Sequence, residues 1–172
     1  YYYLKVPSYF GREYPISYYA SLPQTQLVFS IAYTLAAIFF WIFGRHHLNR
    51  YYRTPIKVFE VSMLFFIFMA IVPFDPENNI SNTLHNFFAW GSGLFFIVGI
   101  YVLAKNAKNK YIYRVSLLTI IVSIILIIAF ATAAKESSYI FAFEAGSWLM
   151  WQFWILWISY YSYKNNLNLS PK

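Results

Sequence analysis

Residues 71–90 read Ile71-Val-Pro-Phe-Asp-Pro-Glu-Asn-Asn-Ile-Ser-Asn-Thr-Leu-His-Asn-Phe-Phe-Ala-Trp90, or IVPFDPENNISNTLHNFFAW. An apolar run stops at Pro73 and Phe74, gives way to two acids and a cluster of asparagines, and resumes after His85. A loop between two soluble helices has this form, and so does the mouth of a site at a membrane surface. Composition decides between them. The chain has 172 residues, 60% hydrophobic and 11% charged, with a mean hydropathy of +0.48. Soluble domains carry about 25% charged residues. The stretch is therefore expected to be a loop joining two membrane spans. Pro73 and Pro76 end the first of them, and Asn82 or Thr83 is expected to cap the next.

The same reading extends outward to five apolar segments. A hydrocarbon core of about 30 Å takes roughly 20 residues of helix. Residues 26–44, 56–74, 83–104, 115–134 and 139–161 meet that length. The expected fold is all-α, one polytopic transmembrane helical bundle. An external loop over 1–25 precedes it and a cytoplasmic tail over 162–172 follows. The opening stretch YYYLKVPSYFGREYP lacks the charged-then-apolar order of a signal peptide. An outside start at Tyr1, with no span before it, means either that the protein inserts that way or that a sixth, upstream helix is missing from the chain.

Charge sets the orientation. Arg45, Arg50, Arg53 and Lys57 flank the first gap, Lys105, Lys108, Lys110 and Arg114 the third, and Lys164 and Lys172 lie in the tail. These ten of the thirteen basic residues fall on one side of a five-span weave. Lys5, Arg12 and Lys135 share the other side with Glu13, Asp75, Glu77 and Glu136. Basic loops stay cytoplasmic, so the N-terminal segment is expected outside and the C-terminus inside a multi-pass protein of the cell membrane. The net charge of +7 is then mostly topological, and no nucleic-acid partner is expected.

Two acids interrupt apolar runs. Glu60 lies near the cytoplasmic end of the second span, with Lys57 one turn away on the same helix, and reads as structural. Glu144 lies near the outer end of the fifth with no basic residue in its turn. Ionisable residues within spans are costly and mark candidate sites. His85, at the start of the third span, is expected to approach Glu144 at the outer face. Asp75, Glu77, His85 and Glu144 thus form the candidate outer-face cluster. Carboxylates with one imidazole suit a proton relay or a hard cation. No His-Glu-x-x-His motif accompanies them, and no metal is assigned. The cofactor is unknown.

Other classes fall away. No lysine lies mid-span for a retinal Schiff base, no histidine pair within the spans clamps a haem, and no Gly-x-Ser-x-Gly turn is present. No repeat marks an inverted-repeat transporter. With no cysteine, disulfides and thiolate sites are absent. Trp148, Trp151, Trp154 and Trp157 recur every three residues and cross the middle of the fifth span. They are expected to form a packing ridge or a face for a partner. Gly91, Gly93 and Gly99, with Ala145-Gly146-Ser147, allow close approach, so the third and fifth spans are expected to be neighbours.

These features together carry a resemblance. The order is YPISYYASLPQTQLVF leading into a span, a basic loop, a span ending at Pro73-Phe74, an acidic loop, His85 followed by Phe87-Phe88-Ala89, and Glu144 early in an aromatic span. It resembles the small six-span bacterial and archaeal proteins of domain-of-unknown-function family 998 and, more distantly, the FRAG/DRAM/Sfk-like proteins. In that pattern a Phe-Pro closes one span, a His opens the next and a Glu-Arg pair stands in the last. Here the first pair is reversed, and Glu144 is followed by Ala145. The resemblance implies a six-helix bundle and, through its eukaryotic relatives, a link to membrane-lipid handling. The expected function is the binding or organising of a lipid headgroup at the outer face, with membrane lipids as partners. The rivals are a structural subunit bound to another membrane protein through the tryptophan row, and a lipid-modifying enzyme using His85 and Glu144 as acid and base.

Overall fold

A computed structural model of the chain describes residues 22, 25–46, 53–72, 74–75, 78–107, 109–133 and 140–165. Glu77, most of the N-terminal segment, the 134–139 connection and the tail beyond 165 lie outside these. The described residues form five α-helices and no strand: α1 (Gln26–His46), α2 (Arg53–Ile71), α3 (Asn79–Asn106), α4 (Lys110–Ala133) and α5 (Ile140–Lys164). The all-α class follows.

Three helical stretches, Gln26–Arg45, Asn79–Asn106 and Lys110–Thr132, are long and apolar enough to cross a membrane. α2 is 19 residues long and holds Lys57 and Glu60 in its first half. α5 has 25 residues, but Glu144, Gln152 and four tryptophans dilute its hydropathy. Both nevertheless show the inside-out pattern of the others. Phe39, Phe68, Leu94, Leu118 and Phe153, one from each helix, are exposed. Ser62, Ser92, Ser116, Ser123 and Ser162 are buried. Water would reverse this arrangement, because large contiguous apolar surface is not left exposed there. Lipid does not pull apolar side chains inward, and polar side chains find partners between helices instead. This is a helical membrane protein.

The helices outrun the apolar spans at several ends. α3 begins at Asn79, a turn before the expected start. Asn78, in an extended conformation, caps it by accepting from the amides of Ile80 and Ser81 at 3.1 and 3.2 Å. The cap is therefore Asn78, not Asn82 or Thr83. Helical hydrogen bonding needs no apolar side chains, so the polar turn 79–83 joins the helix beyond the hydrocarbon. Asn109 caps α4 in the same way, through Tyr111 and Ile112 at 2.9 and 3.2 Å. Lys110, Tyr111 and Arg114 thereby enter the helix ahead of the expected span start at 115.

Each helix packs on the next, and the α2–α3 contact is the most extensive. Gly91 lies against Phe65, and a Cβ at Gly99 would stand 2.7 Å from the Phe59 ring. Both partners belong to α2, not to α5. Gly93 does face α5, where its Cβ would meet Trp151 at 3.1 Å. Two residues turn a helix by about 200°, so Gly91 and Gly93 look opposite ways. The third and fifth helices meet through side chains, above all the stacked rings of Phe96 and Trp151 at 4.9 Å.

Steps of three residues wind slowly round a helix, and so the tryptophan row addresses several partners in turn. Trp148 meets Phe66 of α2 at 4.3 Å and Tyr33 of α1 at 6.1 Å. Trp151 donates its Nε1–H to Ser123 Oγ of α4 at 3.0 Å. Trp154 packs on Phe59 and donates to Ser116 Oγ at 3.1 Å. Trp157 is half-buried against Tyr111 and Tyr161. The serines, seven residues apart on α4, and the two tryptophans set the antiparallel register of α4 and α5.

Candidate functional site

The site begins with a backbone problem. In a helix each carbonyl accepts from the amide four residues on. For Met69 and Val72 those positions are Pro73 and Pro76, which have no N–H. α2 ends at Ile71, so its last carbonyls and that of Val72 lack intrahelical donors, and neither proline can supply one. His85, on α3, supplies a donor: its Nδ1 lies 2.7 Å from the Val72 oxygen. The Met69 carbonyl also acts on this ring. A carbonyl only accepts, so the bond places a proton on Nδ1. In the neutral ring Nε2 is then an acceptor.

His85 is 4% exposed, and its buried Nε2 has no hydrogen-bond partner among the described residues. Phe74 packs edge-on against the ring at 5.8 Å. The histidine was expected at the helix start. Because α3 begins early, it sits nearly two turns in, about 9 Å along the axis.

A cavity of about 270 Å³ adjoins the imidazole. Its polar end is formed by Tyr33, His85, Asn86, Glu144 and Ser147, from the ends of α1, α3 and α5 that gather there. Glu144 lies within electrostatic reach of the Tyr33 hydroxyl. Deeper, the walls are Ile97 and Trp151, while Ile127 and Phe130 of α4 close the side level with Glu144. From Asn86 to Ile97 the cavity runs about 16 Å down α3. Trp90 and Leu94 line it and are also exposed, so it opens sideways on the apolar surface. Trp90 meets Phe130 at 6.3 Å across that opening.

Of the expected cluster, His85 and Glu144 line this one cavity. No hydrogen bond joins His85 Nε2 to the carboxylate. Asp75 is half-buried and does not line the cavity, and Glu77 lies outside the described residues. Trp148 and Trp151 form part of the wall, whereas Trp154 and Trp157 do not. Among the described residues no group of three histidines and carboxylates converges as a metal would require. Tyr33, Asn86 and Ser147 were not anticipated. The signal for Tyr33 was its place two turns into an apolar helix, at the end that also holds Glu144.

Glu60 belongs elsewhere. Its Oε1 lies 3.0 Å from Arg45 Nε and accepts from Trp41 Nε1 at 3.3 Å, tying α1 to α2 at the opposite end. The basic partner comes from the neighbouring helix. At that same end Lys105, Lys110 and Arg114 surround an open cleft by Asn109.

A family model described as a protein of unknown function (DUF998) matches residues 3–161. No curated protein and no solved structure matches the chain.

Proposed function

This chain belongs to the DUF998 family of proteins of unknown function, and from that premise we propose that it binds a membrane amphiphile in the cavity beside His85 and Glu144. The observation that carries the reading is the cavity's division into a polar end and an apolar shaft, with a lateral opening. A headgroup fits the first, and a chain leaves through the second into the bilayer. A volume of about 270 Å³ is small beside typical ligand pockets of ~300–1,000 Å³. It suits a headgroup and the first part of a chain, the remainder staying in lipid.

In this reading all five helices cross the membrane. The cavity's polar end faces outward and the Lys105–Arg114 cleft faces the cytoplasm, as the distribution of basic residues supports. Single cysteines at Asn79 and Arg50 test the orientation. Labelling of position 50 from outside intact cells overturns it.

Native mass spectrometry of the detergent-extracted protein tests the binding. The wild type is expected to retain an amphiphile. A variant carrying Ala89→Leu and Ile127→Phe, which fill the shaft, is expected to lose it. Equal retention by both, or none by either, overturns the proposal.

A further inference from the structure

The end of the molecule away from His85 carries a different kind of cleft. Lys105 stands in the last turn of α3, and Lys110 and Arg114 stand near the start of α4. With Asn109 and Tyr113 they line a space of about 240 Å³. Lys110 and Arg114 are four residues apart on one face of α4, where like charges repel. The first turn of α4 holds no acid, and Lys110 stands where the helix macrodipole disfavours a cation. Among the described residues no carboxylate pairs with any of the three cations.

The positions of the acids along the chain keep the cleft unneutralised. There are six. Glu60 is engaged by Arg45 and Trp41 of α1. Asp75 and Glu144 lie at the His85 end. Glu77 stands next in the chain to Asn78, the cap of α3 at that end, and Glu136 stands three residues past Ala133, where α4 finishes. Glu13 comes nine residues before Leu22, which adjoins the start of α1, also at that end. Nine residues of chain reach at most about 32 Å, whereas the 24 residues of α4 alone extend about 36 Å.

Topology accounts for positive charge at this end but not for its convergence, because basic residues near a span end act from any face of the helix. Here three cations from two helices share one cleft, and its other polar residues add donors. Asn109 Oδ1 already accepts from the amides of Tyr111 and Ile112, which leaves its Nδ2 to donate. Tyr113 brings a phenol hydroxyl. An anion with several acceptor oxygens can meet cations from two helices at once, and arginine holds a phosphate through paired N–H bonds. We infer that this cleft binds an anionic phosphate group, carried on a lipid headgroup or on a soluble molecule. The site is separate from the cavity beside His85, and neither assignment depends on the other.

The test uses the full chain in a neutral maltoside detergent. Isothermal titration calorimetry follows dioctanoyl phosphatidic acid, dioctanoyl phosphatidylcholine and glycerol phosphate. The phosphatidic acid is expected to bind at least about tenfold more tightly than the phosphatidylcholine. Lys110→Gln combined with Arg114→Gln is expected to remove that preference. Both side chains are exposed, so the core is spared, and Lys105→Gln on α3 takes their place if the pair does not fold. Lys57→Gln combined with Lys164→Gln removes the same charge at the same end outside the cleft, and is expected to keep the preference. Equal binding of the two lipids by the wild type overturns the assignment. So does a preference that survives in the cleft variant, or one lost equally in both variants. Glycerol phosphate separates the sources. Affinity equal to that of phosphatidic acid assigns the site to a soluble phosphate, and weaker affinity assigns it to a lipid headgroup.

Discussion

α3 has two faces that do opposite things with similar residues. Toward α2 it is closed: Gly91 and Gly99 admit Phe65 and Phe59, and Ser62 donates to the Ser92 carbonyl at 2.7 Å. Toward α4 and α5 the same helix is hollow, and Gly93, Ala89 and Ile97 line a cavity. The difference teaches that small residues in a membrane helix do not by themselves mean a tight seam. A glycine closes a gap only where the facing helix brings a large ring into it. Opposite Gly91 and Gly99 stand phenylalanines of α2, the preceding helix in the chain. At Gly93 the Trp151 ring, tied to Ser123, also comes close, and the space lies to its side, lined by Ala89, Ile97 and Ile127.

The sharpest way to break this contrast is to add bulk to the closed face. Gly99→Val is expected to cost about 1–3 kcal/mol, because the buried Phe59 ring must move. Reversible unfolding in mixed detergent measures it. A cost no larger than that of an equal addition at Ala89 ends the distinction between the two faces.

Next is Trp154→Phe at the α4–α5 seam. It keeps most of the ring packing but leaves Ser116 without its donor. Hydrogen bonds between membrane helices average about 0.6 kcal/mol, so with the lost ring area about 1 kcal/mol is expected. The same unfolding measurement applies, and a neutral result removes the serine–tryptophan ladder as a register device.

Arg45→Gln at the opposite end should cost less, a few tenths of a kcal/mol. The pair with Glu60 is largely exposed on the arginine side, where such pairs are worth little. Doubling the salt concentration is expected to shrink the effect further.

The smallest stability change is expected for Ala89→Leu in the cavity wall, within about 0.5 kcal/mol of zero. The added carbons enter empty space instead of a packed seam. The same variant should weaken retention of the bound amphiphile well beyond this change in stability. A large loss of stability here would mean that the hollow face is in fact packed.

Much of the architecture follows from sequence patterning. Apolar stretches of membrane length separated by polar breaks yield helices, since a backbone in lipid must satisfy its own hydrogen bonds. The polar exceptions, Glu60, His85 and Glu144, were also visible, because a polar residue stands out in a chain this oily. Even the role of His85 had a trace in the sequence: Pro73 and Pro76 fall four residues after Met69 and Val72, and orphaned carbonyls require a donor from elsewhere. Tertiary structure alone decided which donor arrived. It turned Gly91 and Gly99 toward α2 and Gly93 toward α5, gave Glu60 its partner on α1, and gathered Tyr33, His85 and Glu144 around one cavity. The physical reason is that local hydrogen bonding and hydropathy depend on neighbours along the chain. The rotation of each helix depends on which side chains interlock across the bundle, and no single segment contains that information.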